Sequence, residues 1–154
     1  MSAAITSRRR FLQVVAAGSA AAFVLPACGA NNSSGGASPA NVGDVQAGST
    51  QDTAVGTLQA VGTQPVAIGR DAGGLYAMTL TCTHAGCNIA DSGTVAPSGI
   101  VCSCHGSEFD ANGGVTRGPA SAPLAHFAVD VDASGAVVVH TAKVVDSSTR
   151  TPVA

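Results

Sequence analysis

From Ala54 onward, short apolar runs alternate with turn residues, and no apolar stripe recurs at three- or four-residue spacing over as many as ten positions. That pattern predicts strands rather than helices. The runs are AVGTLQAV (54–61), PVAIGR (65–70) and LYAMTL (75–80), with DAGG (71–74) as the turn between the last two. Further on, GIV (99–101) leads into a loop that closes into SEFD (107–110), and ANGG (111–114) turns the chain back. LAHFAVDV (124–131), DASG (132–135) and AVVVH (136–140) have the form of a closing hairpin. No segment repeats at a fixed period. The expectation is a small all-β domain from which two loops project.

Upstream, GANNSSGGASPANVGDVQAGST (29–50) is almost free of large apolar side chains, so it buries too little to order itself and has the composition of a flexible tether. Before it, SRRRFLQ (7–13) places arginines ahead of Phe11 and Leu12, and VVAAGSAAAFVL runs uncharged from Val14 to Leu25. A basic head followed by a short apolar segment is an export address. It resembles the twin-arginine signal, whose pathway carries folded proteins across a bacterial membrane, often around a metal cofactor. The sequence LPAC resembles a bacterial lipoprotein box, which implies Cys28 as the lipidated first residue of the mature protein. Two other outcomes are an uncleaved anchor, since the twenty residues Phe11–Ala30 are uncharged and about twenty apolar residues span a bilayer, and a cleaved, soluble product. All three place the domain outside the cytoplasmic membrane, as an export signal (1–27), a lipidated or flexible tether (28–52), a folded domain (53–145) and a tail (146–154).

Composition and charge narrow the partners. Aromatic residues make up 3% of the 154-residue chain and Trp is absent. Three of the seven basic residues are Arg8, Arg9 and Arg10, so from Cys28 onward four Lys and Arg face nine Asp and Glu, a net of 4 − 9 = −5. A mildly acidic body without stacking platforms argues against nucleic acid. No Ser-His-Asp order, phosphate loop or paired carboxylates stand out, so no independent catalytic site is expected.

Chemistry concentrates in two stretches, CTHAGC (82–87) and CSCHGSEFD (102–110), separated by fourteen residues. They offer Cys82, His84 and Cys87 from one loop, and Cys102, Cys104 and His105 from the other. A structural zinc site would use four ligands, commonly with two to four residues between the members of a pair, and fits the C-x-H and C-x-C spacings poorly. Disulfides alone would suit an exported protein but leave both histidines idle. A [2Fe-2S] cluster held by two thiolates on one iron and two imidazoles on the other, each loop giving one of each, uses the full set. His126 and His140 lie in the closing strands and have the look of surface or half-buried strand residues.

CTHAGC and CSCHGS resemble the two cluster-binding boxes of Rieske iron–sulfur proteins, over about Pro65 to Leu124. The resemblance implies a small antiparallel Rieske-type β sandwich with two cluster-binding loops. It further implies Cys82 and Cys102 on the inner iron, His84 and His105 on the outer one, and a Cys87–Cys104 disulfide clamping the loops. Such a disulfide would constrain the unfolded chain by roughly 3 kcal/mol on the loop-entropy model. Gly86 and Gly106 match the glycines around which the boxes turn. The two extra cysteines are similar to the exported, electron-chain branch of the family, which cytoplasmic Rieske ferredoxins and ring-hydroxylating oxygenases leave out.

Three positions depart from the family pattern. Ala85 stands where respiratory members carry a leucine over the cluster, Phe109 where a tyrosine hydroxyl reaches a ligand sulfur, and Ser121 where a second proline is common in the proline loop GPASAPL (118–124). Ser107 matches the serine that donates to a bridging sulfide, which makes Ser107 and Phe109 the cluster-tuning pair. The implied function is one-electron transfer on the outer face of a bacterial membrane, as the iron–sulfur subunit of a quinol-oxidising cytochrome bc-type complex. The alternatives are the small subunit of a periplasmic oxidoreductase resembling arsenite oxidase, or a stand-alone carrier lipoprotein. The implied partners are a cytochrome b- or c-type protein or a molybdenum subunit, and quinol.

Overall fold

The computed structural model describes residues 38–153; the export segment and Cys28 lie outside the described residues. The described chain forms ten strands and one short helix: β1 (Asp44–Ser49), β2 (Thr57–Ala60), β3 (Val66–Asp71), β4 (Gly74–Thr79), α1 (Ile89–Ser92), β5 (Gly93–Ala96), β6 (Gly99–Cys102), β7 (Ser107–Phe109), β8 (Val115–Arg117), β9 (His126–Val131) and β10 (Ala136–Val145). They make two antiparallel sheets, one in the order β1-β10-β9-β4-β3-β2 and one in the order β5-β6-β7-β8. The all-β expectation holds.

The two-residue strand period explains how β3 and β4 serve two cores at once. Val66, Ile68, Leu75 and Ala77 face one cluster with Val45, Phe127, Val129, Val137 and Val139. Strands β1, β10, β9, β4 and β3 all contribute to that cluster, whereas β2 at the far edge does not. The alternate residues Ala67, Tyr76 and Met78 face a second cluster shared with Ile100, Phe109 and Leu124 of the small-sheet side. Strand β4 is therefore buried on both faces, which is why Leu75–Met78 is a continuous apolar run rather than an alternating one. The second cluster also contains Cys82 and Cys102, so the cysteine loops grow directly out of a packed floor.

Three elements go beyond the sequence reading. Asp44–Ser49, inside the stretch with tether composition, is strand β1 on the edge of the large sheet, paired with β10 from Asp44↔His140 onward. Its backbone hydrogen bonds and the two small buried side chains Val45 and Ala47 suffice for an edge strand. Helix α1 is a single turn capped by Asn88, whose side chain accepts the Ala90 N–H, too short for any helical period to register. The segment after β10 folds back over the β3–β4 turn, where Thr151 forms an antiparallel bridge with Leu75. No helix among the described residues is long and apolar enough to cross a membrane.

The two remaining histidines differ from each other. His140 lies across three strands, with Nδ1 2.8 Å from Asp44 and Nε2 3.0 Å from Asp130. His126 is 2% exposed, more deeply buried than a surface or half-buried strand position.

Candidate metal centre

Both cysteine loops are closed by the same backbone device. In the first, the Gly86 N–H donates to the Cys82 carbonyl at 2.8 Å, and the Cys82 N–H donates to the Cys87 carbonyl at 2.8 Å. In the second, the Gly106 N–H donates to the Cys102 carbonyl at 3.0 Å. Gly86 and Gly106 have φ of 76° and 78°, left-handed backbone that glycine adopts without a Cβ penalty. A Thr81↔Asn88 bridge fastens the base of the first loop. The second joins β6 to β7, where Cys102 lies directly opposite Ser107.

Strand alternation then decides what each side chain sees. Ile100, Cys102, Ser107 and Phe109 point inward, whereas Val101 is exposed and Glu108 half-buried. Cys82 and Cys102 are free thiols, 2% and 1% exposed. Burial raises the Cys102 pKa above its ordinary value, and the neighbouring Cys82 adds to this; both side chains belong to the same buried cluster. Outside them stand His84 and His105, both exposed, with ring centroids 4.8 Å apart and planes at 80°. Cys87 and Cys104 form a disulfide between the loops. The sulfurs of Cys87, Cys102 and Cys104 lie within 4.8 Å of one another, but two of them are spent in that disulfide, so this trio is no metal set.

The proline loop Gly118–Pro123 is fastened to both cysteine loops. The Thr83 hydroxyl donates to the Ala122 carbonyl at 2.6 Å, and the Ala120 N–H donates to the Ser107 hydroxyl oxygen at 3.0 Å. Ser107 is fully buried, and among the described residues no acceptor takes its hydroxyl hydrogen. Phe109 is 2% exposed and packs in the cluster that holds both free cysteines. Ala85 and Ser121 are exposed, so neither departure disturbs the packing. The structure thus brings Cys82, His84, Cys102, His105, Cys87, Cys104 and Ser107 to one end of the domain. Two buried soft donors, two exposed imidazoles and one unspent buried hydroxyl suit a cluster with one sulfur-ligated and one nitrogen-ligated iron.

Residues 40–128 match the Rieske [2Fe-2S] domain family. The chain belongs to that family, its cofactor is a [2Fe-2S] cluster, and its role is electron transfer. It is similar to the cytochrome b6-f complex iron-sulfur subunit of Prochlorococcus marinus strain MIT 9515, with 44% identity over 66 residues, 42% of this chain and 35% of that one. The subunit of the same name from strain AS9601 is 41% identical over 66 residues, with the same coverage. The chain thus spans about a third of the length of these curated relatives. Among solved structures, a chain from the complex of reduced oxygenase and oxidized ferredoxin in carbazole 1,9a-dioxygenase gives 30% identity and a TM-score of 0.49, covering 67% of this chain and 97% of that one. The cyanobacterial plasma membrane Rieske protein of Synechocystis PCC 6803 gives 30% identity and 0.46, covering 62% and 97%.

Proposed function

We propose that this chain is a membrane-tethered one-electron carrier on the outer face of a bacterial membrane, the iron–sulfur subunit of a quinol-oxidising cytochrome bc-type complex. Cys82 and Cys102 hold the inner iron and His84 and His105 the outer one. The bound cluster supplies a one-electron couple. The observation that carries this reading is the pairing of His84 and His105 on the surface above two buried thiols. Buried thiolates keep water from the inner side of the site, and the imidazoles stand where a partner can touch them. The similarity to cytochrome b6-f iron-sulfur subunits supports the complex, and the SRRRFLQ and LPAC segments support export and a lipid on Cys28.

Ala85 favours a second reading. Without the leucine of respiratory members, the tip presents a smaller apolar contact, which is compatible with a molybdenum partner in an oxidoreductase resembling arsenite oxidase. Purification from native membranes separates the two. A b-type haem subunit co-purifying in stoichiometric amount is expected; a molybdenum subunit in its place would overturn the first reading in favour of the second. In the same preparation, mass spectrometry should find the mature chain beginning at an acylated Cys28, and an amino terminus at Met1 or Ser2 would show an uncleaved anchor instead.

A further inference from the structure

We propose that Arg150, in the segment that follows the last strand, is a positioning residue for the cluster site and acts through the turn Asp110–Gly114. The proposal rests on the cluster lying between the two cysteine loops. Residues 146–153 form a strap outside the stretch that matches the family. The strap is seated on the base sheet: the Leu75 N–H donates to the Thr151 carbonyl at 2.9 Å, the Thr151 N–H returns to the Leu75 carbonyl at 2.8 Å, and the Thr151 hydroxyl donates to the Val129 carbonyl at 2.6 Å. Its passage explains a glycine, because at Gly74 (φ +133°) any Cβ would collide with the Thr151 carbonyl.

Arg150 is 17% exposed and uses every face of its guanidinium. Nε donates to Asp71 at 2.6 Å, Nη1 to the carbonyls of Ser147 and Thr149, and Nη2 to the Asn112 side-chain oxygen at 2.8 Å. The guanidinium carbon sits 4.3 Å from the centre of the Tyr76 ring, a cation–π contact. Two base-sheet side chains converge on the same turn. The Tyr76 hydroxyl donates to the Ala111 carbonyl at 3.2 Å. His126 Nε2 lies 3.0 Å from the Asn112 carbonyl, which can only accept, so that nitrogen carries the proton. Three side chains from outside the small sheet therefore fix two consecutive residues, Ala111 and Asn112.

That turn begins one residue after Phe109 and joins β7, which aims Ser107 and Phe109 at the buried thiols, to β8, which leads into the proline loop. A segment that merely covered a sheet edge would leave those side chains where they are. Arg150 instead holds the turn against the base sheet, and with it the angle at which β7 presents the Ser107 hydroxyl. A lysine can pair with Asp71 but lacks the planar fork that reaches Asn112 at the same time.

The test compares Arg150→Ala and Arg150→Lys with wild type in the full chain, reading amide exchange with and without iron and the midpoint potential with it. Arg150→Ala should speed exchange across residues 107–117 by about tenfold, as expected when a locally stabilised unit opens more often, and lower the midpoint; Arg150→Lys should recover part of both changes. Tyr76→Phe, which removes only the hydroxyl bond to Ala111, should move the potential in the same direction by less. Exchange that quickens only within residues 146–153, or a loaded Arg150→Ala protein with the wild-type potential, would overturn the role given to Arg150 and leave the cluster reading standing. A wild-type chain that takes up no iron and sulfide would overturn both.

Discussion

Ser107 has one hydroxyl and two uses for it. Its oxygen accepts the Ala120 N–H, and its hydrogen points nowhere within the described protein, in a fully buried position facing Cys102 across the strand pair. Phe109, two residues on and on the same inner face, has no donor at all. A donor near a cluster sulfur favours the reduced state, which carries the extra negative charge. A hydrogen bond to a charged group contributes about 1.5–3 kcal/mol, part of it common to both redox states, and a one-electron couple shifts about 59 mV per tenfold change in equilibrium. One donor is therefore worth on the order of tens of millivolts within the range of roughly −150 to +300 mV of His-ligated clusters. Ser107→Ala should lower the midpoint and Phe109→Tyr should raise it, measured by voltammetry at one pH. An unmoved potential in Phe109→Tyr, with its hydroxyl within bonding distance of a ligand sulfur, would contradict the tuning. These residues were legible because cluster chemistry confines itself to Cys, His and a few fixed neighbours. Tyr76, Asn112, His126 and Arg150 were not, because a tyrosine, an asparagine, a strand histidine and a single arginine carry no spacing signal.

The strands that bury large side chains announced themselves, as in LYAMTL and LAHFAVDV. Those held by backbone pairing and small residues did not: β1 has Val45 and Ala47 inside, and the strap is seated by Thr151 and Arg150 rather than by an apolar run. His126 joins these scales, because from β9 it anchors the turn after β7. Its Nδ1 is buried without a partner among the described residues, and burial, together with the nearby Arg150, lowers its pKa below the usual value despite the bond to Asn112 and the carboxylates of Asp146 and Asp110. The unfolded chain then binds the extra proton more readily than the fold does. The stability contributed by neutral His126 is complete above the free value of about 6.5 and is lost as pH falls from there toward the lowered folded value. In denaturant titrations, His126→Gln, which keeps a donor for Asn112 but cannot take a proton, should flatten the loss of stability below about pH 6.5. An acid limb as steep as wild type would show that other groups set it.

The described residues form a six-stranded sheet and a smaller four-stranded one, with the chemistry gathered at the end where the three loops meet. The Cys87–Cys104 disulfide follows the family resemblance. What the two boxes alone left open was the depth of each donor, since burial depends on Ile100, Leu124 and Phe109 closing beneath them. The central claim is that this end holds a cluster with thiolates inside and imidazoles outside. Iron and acid-labile sulfide analysis of the purified full chain, with absorption spectra of wild type, His84→Ala and His105→Ala, tests it most directly. Two irons and two sulfides per wild-type chain are expected, in a red-brown protein whose spectrum is lost in either variant while the Cys87–Cys104 disulfide still forms. Stoichiometric zinc without sulfide, or a wild-type spectrum in both histidine variants, would contradict it.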